Sequence, residues 1–300
     1  MKSNRLYPYL AIVIGVIAVS SAAILVKLAS NVPAAIIANY RLLFAAILML
    51  PFVFIKRAEL QNLKRQDWIT TAIAGVCLAI HFIVWFESLN YTSVASSVVI
   101  VTLQPIFAFI GTYLFFKERF SSGTVISMLI TIFGSMIIAW GDFQLSSKAL
   151  YGDFLALLGA LFITVYFLLG QGARKKLSMT TYTCVAYLSG SITLIIYNII
   201  VGNSFIGYNG DEWIIFIFIA IIPTIFGLNL LNWALKWVST SIISMGIVFE
   251  PVGAAILAYF ILGEHVSWSQ WLGGMIVISG LLLFIASTRR KRKMKVTITP

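Results

Sequence analysis

Ten apolar stretches of membrane-spanning length follow one another along the chain, separated by short breaks rich in turn-forming and charged residues. About 20 apolar residues in a helix cross the ~30 Å hydrocarbon core of a bilayer. A helix satisfies its own backbone hydrogen bonds in lipid, and these stretches are too long and too uniformly apolar for barrel strands. We therefore predict ten transmembrane helices, at residues 7–28, 34–55, 68–88, 93–116, 122–140, 153–171, 181–201, 213–235, 241–262 and 268–287.

The composition supports an all-α membrane protein. Of the 300 residues, 60% are hydrophobic and 10% are charged, which is more apolar surface than one soluble core can bury. The net charge of +11 does not indicate nucleic-acid binding, because the basic residues form short clusters between apolar stretches rather than one continuous face.

The basic residues predict the orientation of the chain in the membrane. With the N-terminus inside, the cytoplasmic loops and termini hold 18 of the 21 Lys and Arg residues, which predicts that both termini are cytoplasmic. We expect a multi-pass protein of the cytoplasmic (inner) membrane, with a tail at 289–300 that attracts anionic lipids. Residues 1–23 also have features of a cleavable signal peptide, but the count of ten requires them as the first span.

An internal repeat divides the chain into two related halves. Leu89–Met136 aligns with Leu235–Leu282 at a constant shift of 146 residues, without a gap. The aligned pairs are Ser93 with Ser239, Pro105 with Pro251, Tyr113 with Tyr259, Glu118 with Glu264, Ser121 with Ser267 and Gly134 with Gly280. We predict one five-helix repeat at 1–145, a second at 146–288 and a basic cytoplasmic tail at 289–300.

An odd number of spans in each half predicts an inverted repeat. The two halves then enter the membrane in opposite senses, related by a pseudo-two-fold axis in the membrane plane. A residue at mid-depth in one half should correspond to a residue at mid-depth in the other, and Gln104 and Glu250 satisfy this expectation. Inverted repeats are typical of carriers in which the halves move around a central site.

The chain resembles the EamA-type transporters of the drug/metabolite transporter superfamily over almost its whole length. The matching features are Pro105 and Pro251 within the fourth and ninth spans, Lys117-Glu118 and Gly263-Glu264 after them, Tyr91-Thr92-Ser93 and Val238-Ser239-Thr240 before them, and Asn39-Tyr40-Arg41 in the second span. The resemblance implies ten helices around a central cavity and transport of small metabolites, commonly export of amino acids or related compounds. One departure is Lys117, where the family usually has Gly, so the tightness of that turn is in doubt.

Glu250 is the main candidate for a functional residue. A carboxylate at the middle of an apolar span costs several kcal/mol unless it has a partner or a water-filled cavity. It could bind solute or couple protons to transport, or it could be a structural partner of Arg41. Pro105 and Pro251 are candidate helix breaks and hinges, because proline removes a backbone donor.

Further candidates for solute binding lie in four other spans. Arg41 lies too deep to reach the interface easily, which leaves contact with an anion or a structural ion pair. His81 and Trp85 share one helix face, where the histidine could relay protons or bond a neighbouring helix.

The sixth and eighth spans supply the remaining candidates. Tyr166 lies in mid-span and could bind solute or pack between helices. Asn229 and Trp233 share a helix face with Asn232 and Lys236, which could line an inner vestibule or anchor the helix end at the interface.

These patterns favour a secondary carrier over other classes. Cys77 and Cys184 lie in apolar spans without a metal-binding pattern, and no Walker sequence occurs, so we expect no metal, cofactor or enzymatic activity. An intramembrane hydrolase would need a nucleophile beside a base, and a channel would need a polar ring. A membrane scaffold or regulatory protein remains the alternative. We expect a small organic solute, protons as a candidate coupling ion, no nucleic acid, and a monomer or homodimer.

Overall fold

The computed structural model describes residues 6–92, 94–138, 140, 146–263 and 267–298, and within them the regular structure is entirely helical. The predicted all-α fold is therefore confirmed. The helices are α1 (Tyr7–Val19), α2 (Ala22–Leu28), α3 (Ala34–Ile55), α4 (Arg57–Gln61), α5 (Arg65–Ser88), α6 (Val94–Val101), α7 (Gln104–Phe116), α8 (Ser122–Ile138), α9 (Ser147–Ala173), α10 (Met179–Val201), α11 (Gly210–Ala220), a π-helical segment (Ile221–Leu228), α12 (Asn229–Ala234), α13 (Thr240–Ile247), α14 (Glu250–Leu262) and α15 (Trp268–Ile298).

Within these residues, nine helical segments are long and apolar enough to cross a membrane. The remaining predicted span, the fifth at 122–140, corresponds to α8, an apolar helix of 17 residues. The exact count of ten therefore stays a prediction. Helix α15 continues beyond its apolar part into the basic tail and ends at Ile298.

Equivalent helices of the two halves begin and end at a constant spacing of 146 residues. Helices α6 and α13 correspond at both ends, as do α7 and α14, while α8 and α15 correspond at their first residues. The spacing extends beyond the aligned sequence, since α3 and α5 end at Ile55 and Ser88, and their equivalents end at Val201 and Ala234. The geometry of the helices is thus consistent with two repeats.

The packing of the helices also follows a two-fold pattern. The second spans of the two halves, α3 and α10, pack against each other, and so do the fifth spans, α8 and α15. The third span of the first half, α5, packs against α9, the first span of the second half. The equivalent pair is α1 with the π-helical segment and α12, and these also pack together.

Glycines allow α8 and α15 to approach closely. An added Cβ at Gly134 would lie 2.8 Å from the backbone N of Val277, and one at Gly273 would lie 2.5 Å from the carbonyl O of Gly134. In lipid, where apolar side chains gain little by leaving the solvent, such close backbone packing is a main source of helix association. Gly280, the equivalent of Gly134, contacts Thr131 in the same interface.

The fourth span of each half is broken just before its proline. Helix α6 ends at Val101 and α7 begins at Gln104, while α13 ends at Ile247 and α14 begins at Glu250. Pro105 and Pro251 cannot donate a backbone hydrogen bond to the preceding turn, which explains why the α-helix restarts there. The two breaks place Gln104 and Glu250 at equivalent helix starts.

Some sequence interpretations lie outside the described residues. These include Ser93 and Glu264 of the repeat and the basic residues Lys2 and Arg5. Cys77 and Cys184 are both buried free thiols.

Candidate functional site

A small buried cavity lies between the two halves of the molecule. Its volume is about 40 Å³, and it is lined by Val19, Arg41, His81, Phe82, Trp85, Val101, Gln104, Ile163, Phe167, Leu228, Leu231, Ile247 and Glu250. A single water molecule needs roughly 10–15 Å³ of cavity volume, so this cavity has room for a few waters. A solute the size of an amino acid would require the walls to move apart.

The cavity lies where the two repeats meet. Four pairs of its lining residues are separated by 146 positions, namely Phe82 with Leu228, Trp85 with Leu231, Val101 with Ile247 and Gln104 with Glu250. Each half therefore contributes the same four structural positions to the wall. This is the arrangement expected for a central site between repeats.

Glu250 and Gln104 are brought to the cavity by the two helix breaks. Each is the first residue of its helix, and each side chain is nearly inaccessible to solvent, at 4% for Glu250 and 1% for Gln104. Gln104 Nε2 donates a hydrogen bond of 3.0 Å to Ser244 Oγ on α13, which links the halves. The Glu250 carboxylate accepts no hydrogen bond from any described residue, so it remains free to contact a solute.

Arg41 reaches the cavity from α3 and is held on one edge and one face. Its Nε donates a hydrogen bond of 2.9 Å to Thr224 Oγ1 in the π-helical segment. Its guanidinium carbon lies 4.3 Å from the centre of the Phe82 ring, close enough for a cation–π contact. The Nη1 atom is buried and has no hydrogen-bond partner.

His81 and Trp85 form one aromatic side of the cavity. Their rings stack at a centroid distance of 5.5 Å with an interplanar angle of 19°. His81 Nδ1 donates a hydrogen bond of 2.9 Å to the carbonyl O of Gly159 on α9, which ties it to a neighbouring helix. The Trp85 Nε1 donor is buried without a partner.

The structure brings Arg41 and Glu250 into the same cavity, but no ion pair within 4.0 Å joins them. Within the described part of the chain, the structure has an ion pair between Lys176 and Asp67, away from the cavity. The guanidinium is instead neighboured by the Thr224 hydroxyl and the Phe82 ring. A basic and an acidic side chain thus line the same small cavity without pairing with each other.

Tyr166, Asn229 and Trp233 lie outside the cavity wall. Tyr166 is fully buried, and its hydroxyl accepts a hydrogen bond of 2.6 Å from Asn232 Nδ2. Asn229 Oδ1 accepts a hydrogen bond of 2.6 Å from the Tyr187 hydroxyl. Tyr166 and Asn229 belong to a polar cluster between α9, α10 and α12. Contact of these two residues and of Trp233 with a solute stays a prediction.

Trp233 is partly buried and packs against Trp237 at a centroid distance of 4.2 Å. Lys236 Nζ lies 5.6 Å from the Trp237 ring, which is the arrangement of an interfacial helix end. The aromatic wall of the cavity consists instead of Trp85, Phe82 and Phe167.

Contacts between the halves lie on the side of the molecule that carries most of the Lys and Arg residues, called the basic side below. Glu118 accepts hydrogen bonds from Ser239 Oγ (3.0 Å) and Ser241 Oγ (3.1 Å) at the start of α13. Glu59 on α4 accepts a hydrogen bond from the backbone N–H of Ser178, the N-cap residue of α10. Carboxylates are favourable at helix N-termini, so these contacts stabilise closure of the basic side.

Aromatic and polar contacts join the halves at the opposite side. The Tyr40 hydroxyl donates a hydrogen bond of 2.6 Å to the carbonyl O of Phe205, and the Tyr40 ring stacks on Phe216 at 4.9 Å. Tyr91 packs edge-on against Tyr151 at 5.0 Å. The two halves are therefore in contact on both sides of the cavity, which fits its small volume.

The sequence analysis missed Thr224, which holds Arg41 through a hydrogen bond, and Phe82, which lines the cavity and lies against Arg41. Thr224 follows Pro223 in the π-helical segment, and its hydroxyl donates to the carbonyl O of Ile219, five residues earlier, at 2.8 Å. π-Helical turns are rare and occur often at functional sites. Phe82 lies between His81 and Trp85, where an apolar side chain in an apolar span gave no signal.

Comparison with known proteins agrees with this architecture. The model of the EamA-like transporter family matches the chain twice, at residues 6–140 and 150–286. An uncharacterized transporter of Archaeoglobus fulgidus is 25% identical over 256 residues, covering 83% of this chain and 87% of the relative. The uncharacterized transporter YxxF of Bacillus subtilis is 26% identical over 256 residues, covering 84% of this chain and 81% of the relative. A solved crystal structure with 15% sequence identity matches the fold with a TM-score of 0.76, covering 95% of this chain and 97% of that one.

The apolar helices, the central cavity and these matches define a multi-pass membrane transporter. The chain belongs to the EamA-like transporter family, which lies within the superfamily that its motifs indicated.

Proposed function

We propose that the protein is a secondary carrier that moves a small organic metabolite, an amino acid or a related compound, across the cytoplasmic membrane. The observation that supports this is the meeting of Arg41, His81, Gln104 and Glu250, each no more than 5% exposed, in one cavity between the repeats. Buried charges in a membrane protein are costly and mark solute or ion pathways. We expect export, with both termini in the cytoplasm.

Transport proceeds by alternating access in this proposal. The two halves move relative to each other, so that contacts on the basic side and on the opposite side open in turn around the cavity. The hydrogen bond from Gln104 to Ser244 crosses between the halves and must rearrange when the cavity widens to hold a solute. The breaks at Pro105 and Pro251 provide places where the fourth and ninth spans can bend.

Glu250 couples proton movement to solute movement in this carrier. Its carboxylate is buried beside a cation and has no hydrogen-bond donor among the described residues, so its protonation can respond to the solute. The test is solute flux in proteoliposomes, with and without a pH gradient, for the parent and for Glu250→Gln. We expect the gradient to accelerate flux in the parent and to have no effect in the variant.

Gln104→Glu is a matched control, because it places a carboxylate at the equivalent position of the other half. We expect this variant to keep a response to the pH gradient. An unchanged gradient response in Glu250→Gln would remove the coupling role while leaving transport intact.

A non-transporting scaffold or regulatory protein is the alternative function. A thermal-shift screen of the purified protein against metabolites distinguishes the two, since a ligand of the folded carrier raises its apparent stability. We expect hits among small organic solutes and flux of the same solutes in proteoliposomes. No hit and no flux across the whole screen would favour the scaffold.

A further inference from the structure

Two buried hydrogen-bond donors of the cavity residues have no acceptor. They are Arg41 Nη1 and Trp85 Nε1, and the two side chains are 2% and 3% exposed. Leaving a buried donor unpaired is unfavourable, and native structures contain few such groups. Two of them in the wall of one cavity indicate an acceptor that binds there.

Arg41 is held so that only part of its guanidinium is engaged. The Nε edge is bonded to Thr224, and one face lies on Phe82. Thr224 is fixed in turn by its hydrogen bond to the carbonyl O of Ile219, which the wider π-helical turn makes reachable. A guanidinium fixed in this way has little conformational freedom left to lose when it binds an oxyanion.

The natural intramolecular partner for this cation is Glu250, yet the two groups form no ion pair. Both residues line the cavity, and neither charge is neutralised by a hydrogen-bonded partner of opposite sign among the described residues. A solute with only a negative charge would pair with Arg41 but would place its own carboxylate near that of Glu250. A solute with both charges satisfies both groups at once.

We infer that the cavity binds zwitterionic solutes in one orientation, with Arg41 Nη1 and Trp85 Nε1 donating to the solute carboxylate and Glu250 accepting from the solute ammonium. This inference rests on the proposed transport function and specifies its substrate class. Arginine suits the first task because its planar donors match a carboxylate. Thr224 is a positioning residue, since it acts on the solute through Arg41.

Matched solutes test this assignment. Each set contains an amino acid, the analogue that lacks the carboxylate and the analogue that lacks the amino group. The first set is leucine, isopentylamine and 4-methylpentanoate; the second is phenylalanine, 2-phenylethylamine and 3-phenylpropanoate. Binding to the purified protein is measured by calorimetry, and transport by counterflow in proteoliposomes. We expect at least one of the two amino acids to bind about tenfold or more tightly than both of its partners, the difference made by about one charged contact.

Variants assign the two charges separately. Arg41→Gln should abolish the preference for the amino acid over the amine, and Glu250→Gln the preference over the acid. Thr224→Val should weaken amino-acid binding about tenfold, whereas Thr224→Ser, which keeps the hydroxyl, should bind like the parent. Thr131→Val is the matched control, because Thr131 bonds within its own helix, outside the cavity wall.

Three results would overturn the inference. One is equal binding of amine and amino acid by the parent, the second is full preference for the amino acid in Arg41→Gln, and the third is failure of both amino acids to bind. Transport of amines or of other metabolites in these cases would leave the proposed carrier function standing. Only the absence of flux for every solute in the broader screen would count against that function itself.

Discussion

Lys117 and Gly263, 146 residues apart, hold the same left-handed backbone conformation at the ends of equivalent helices, with φ values of 55° and 68°. Lys117 is the only described residue other than glycine with a positive φ. The N–H of the next residue, Glu118, donates to the carbonyl O of Thr112 at 3.1 Å and closes the end of α7. The turn keeps its tight geometry although lysine replaces the usual glycine.

Lys117→Gly should therefore stabilise the protein. The left-handed conformation costs a residue with a Cβ roughly 1 kcal/mol, and glycine avoids this cost at an exposed position. Thermal unfolding in detergent should show a higher midpoint for the variant. Gly263→Lys provides the reverse change and should lower the midpoint; equal midpoints for all three proteins would contradict the prediction.

Gly134→Ala should separate α8 from α15. The added methyl group would lie 2.8 Å from the backbone N of Val277, where neither helix backbone can yield without losing contact. We expect a loss of about 2 kcal/mol or more in unfolding free energy. Gly172→Ala is the control, because a Cβ there meets no atom within 4 Å. It should be neutral or stabilise by up to ~1 kcal/mol, as alanine is a better helix former.

Glu118→Ala should open the basic side of the molecule. The substitution removes the acceptor for Ser239 and Ser241, two contacts that join the first half to the second. The readout is maleimide labelling of Leu231→Cys, a buried cavity position, in a background with Cys77→Ala and Cys184→Ala. Labelling should become several-fold faster. Glu87→Ala, which removes a carboxylate whose partner Asn90 is in the same half, should leave the rate unchanged.

Glu59→Gln should reduce stability at neutral pH but not at low pH. Burial raises the pKa of the Glu59 carboxyl, but hydrogen bonds from Ser178 and Thr181, together with Lys56, outweigh it and hold the pKa below its ordinary value of 4.5. A lowered pKa in the folded state means that the stabilisation is complete above pH 4.5 and is lost as the pH falls below it.

Thermal unfolding at pH 7.5 and at several values below 4.5 tests this. At pH 7.5 the free energy of unfolding should be about 1 kcal/mol higher for the parent than for the variant, an estimate that allows for the partial exposure of the Glu59 carboxyl. The difference should shrink with decreasing pH. A constant difference would show that Glu59 acts through packing alone, and Glu87→Gln serves as the comparison.

The sequence predicted the helices well because each is a long apolar segment bounded by turn residues. The second span was predicted at 34–55 and extends over Ala34–Ile55. The central position of Gln104 and Glu250 also followed from sequence, since the repeat and the prolines fix their register. Whether Arg41 pairs with Glu250 depends on side-chain direction, which neither hydropathy nor spacing specifies.

Thr224 and Tyr166 are two residues whose contacts could not be predicted from the sequence. Thr224 is positioned beside Arg41 by the π-helical backbone of Ile221–Leu228. An apolar sequence does not predict a π-helical turn. Tyr166, amphipathic and in mid-span, was a candidate both for solute contact and for packing between helices. Its hydroxyl accepts a hydrogen bond from Asn232, a pairing between two spans far apart in sequence that hydropathy and spacing do not specify.

The two repeats differ at both charged positions of the cavity. Arg41 corresponds to Tyr187 and Glu250 to Gln104, so one copy supplies the positive pole of the chamber and the other the negative pole. A dipolar solute bound to both poles would keep its orientation relative to the protein while the halves tilt. It could then leave on the far face without tumbling inside.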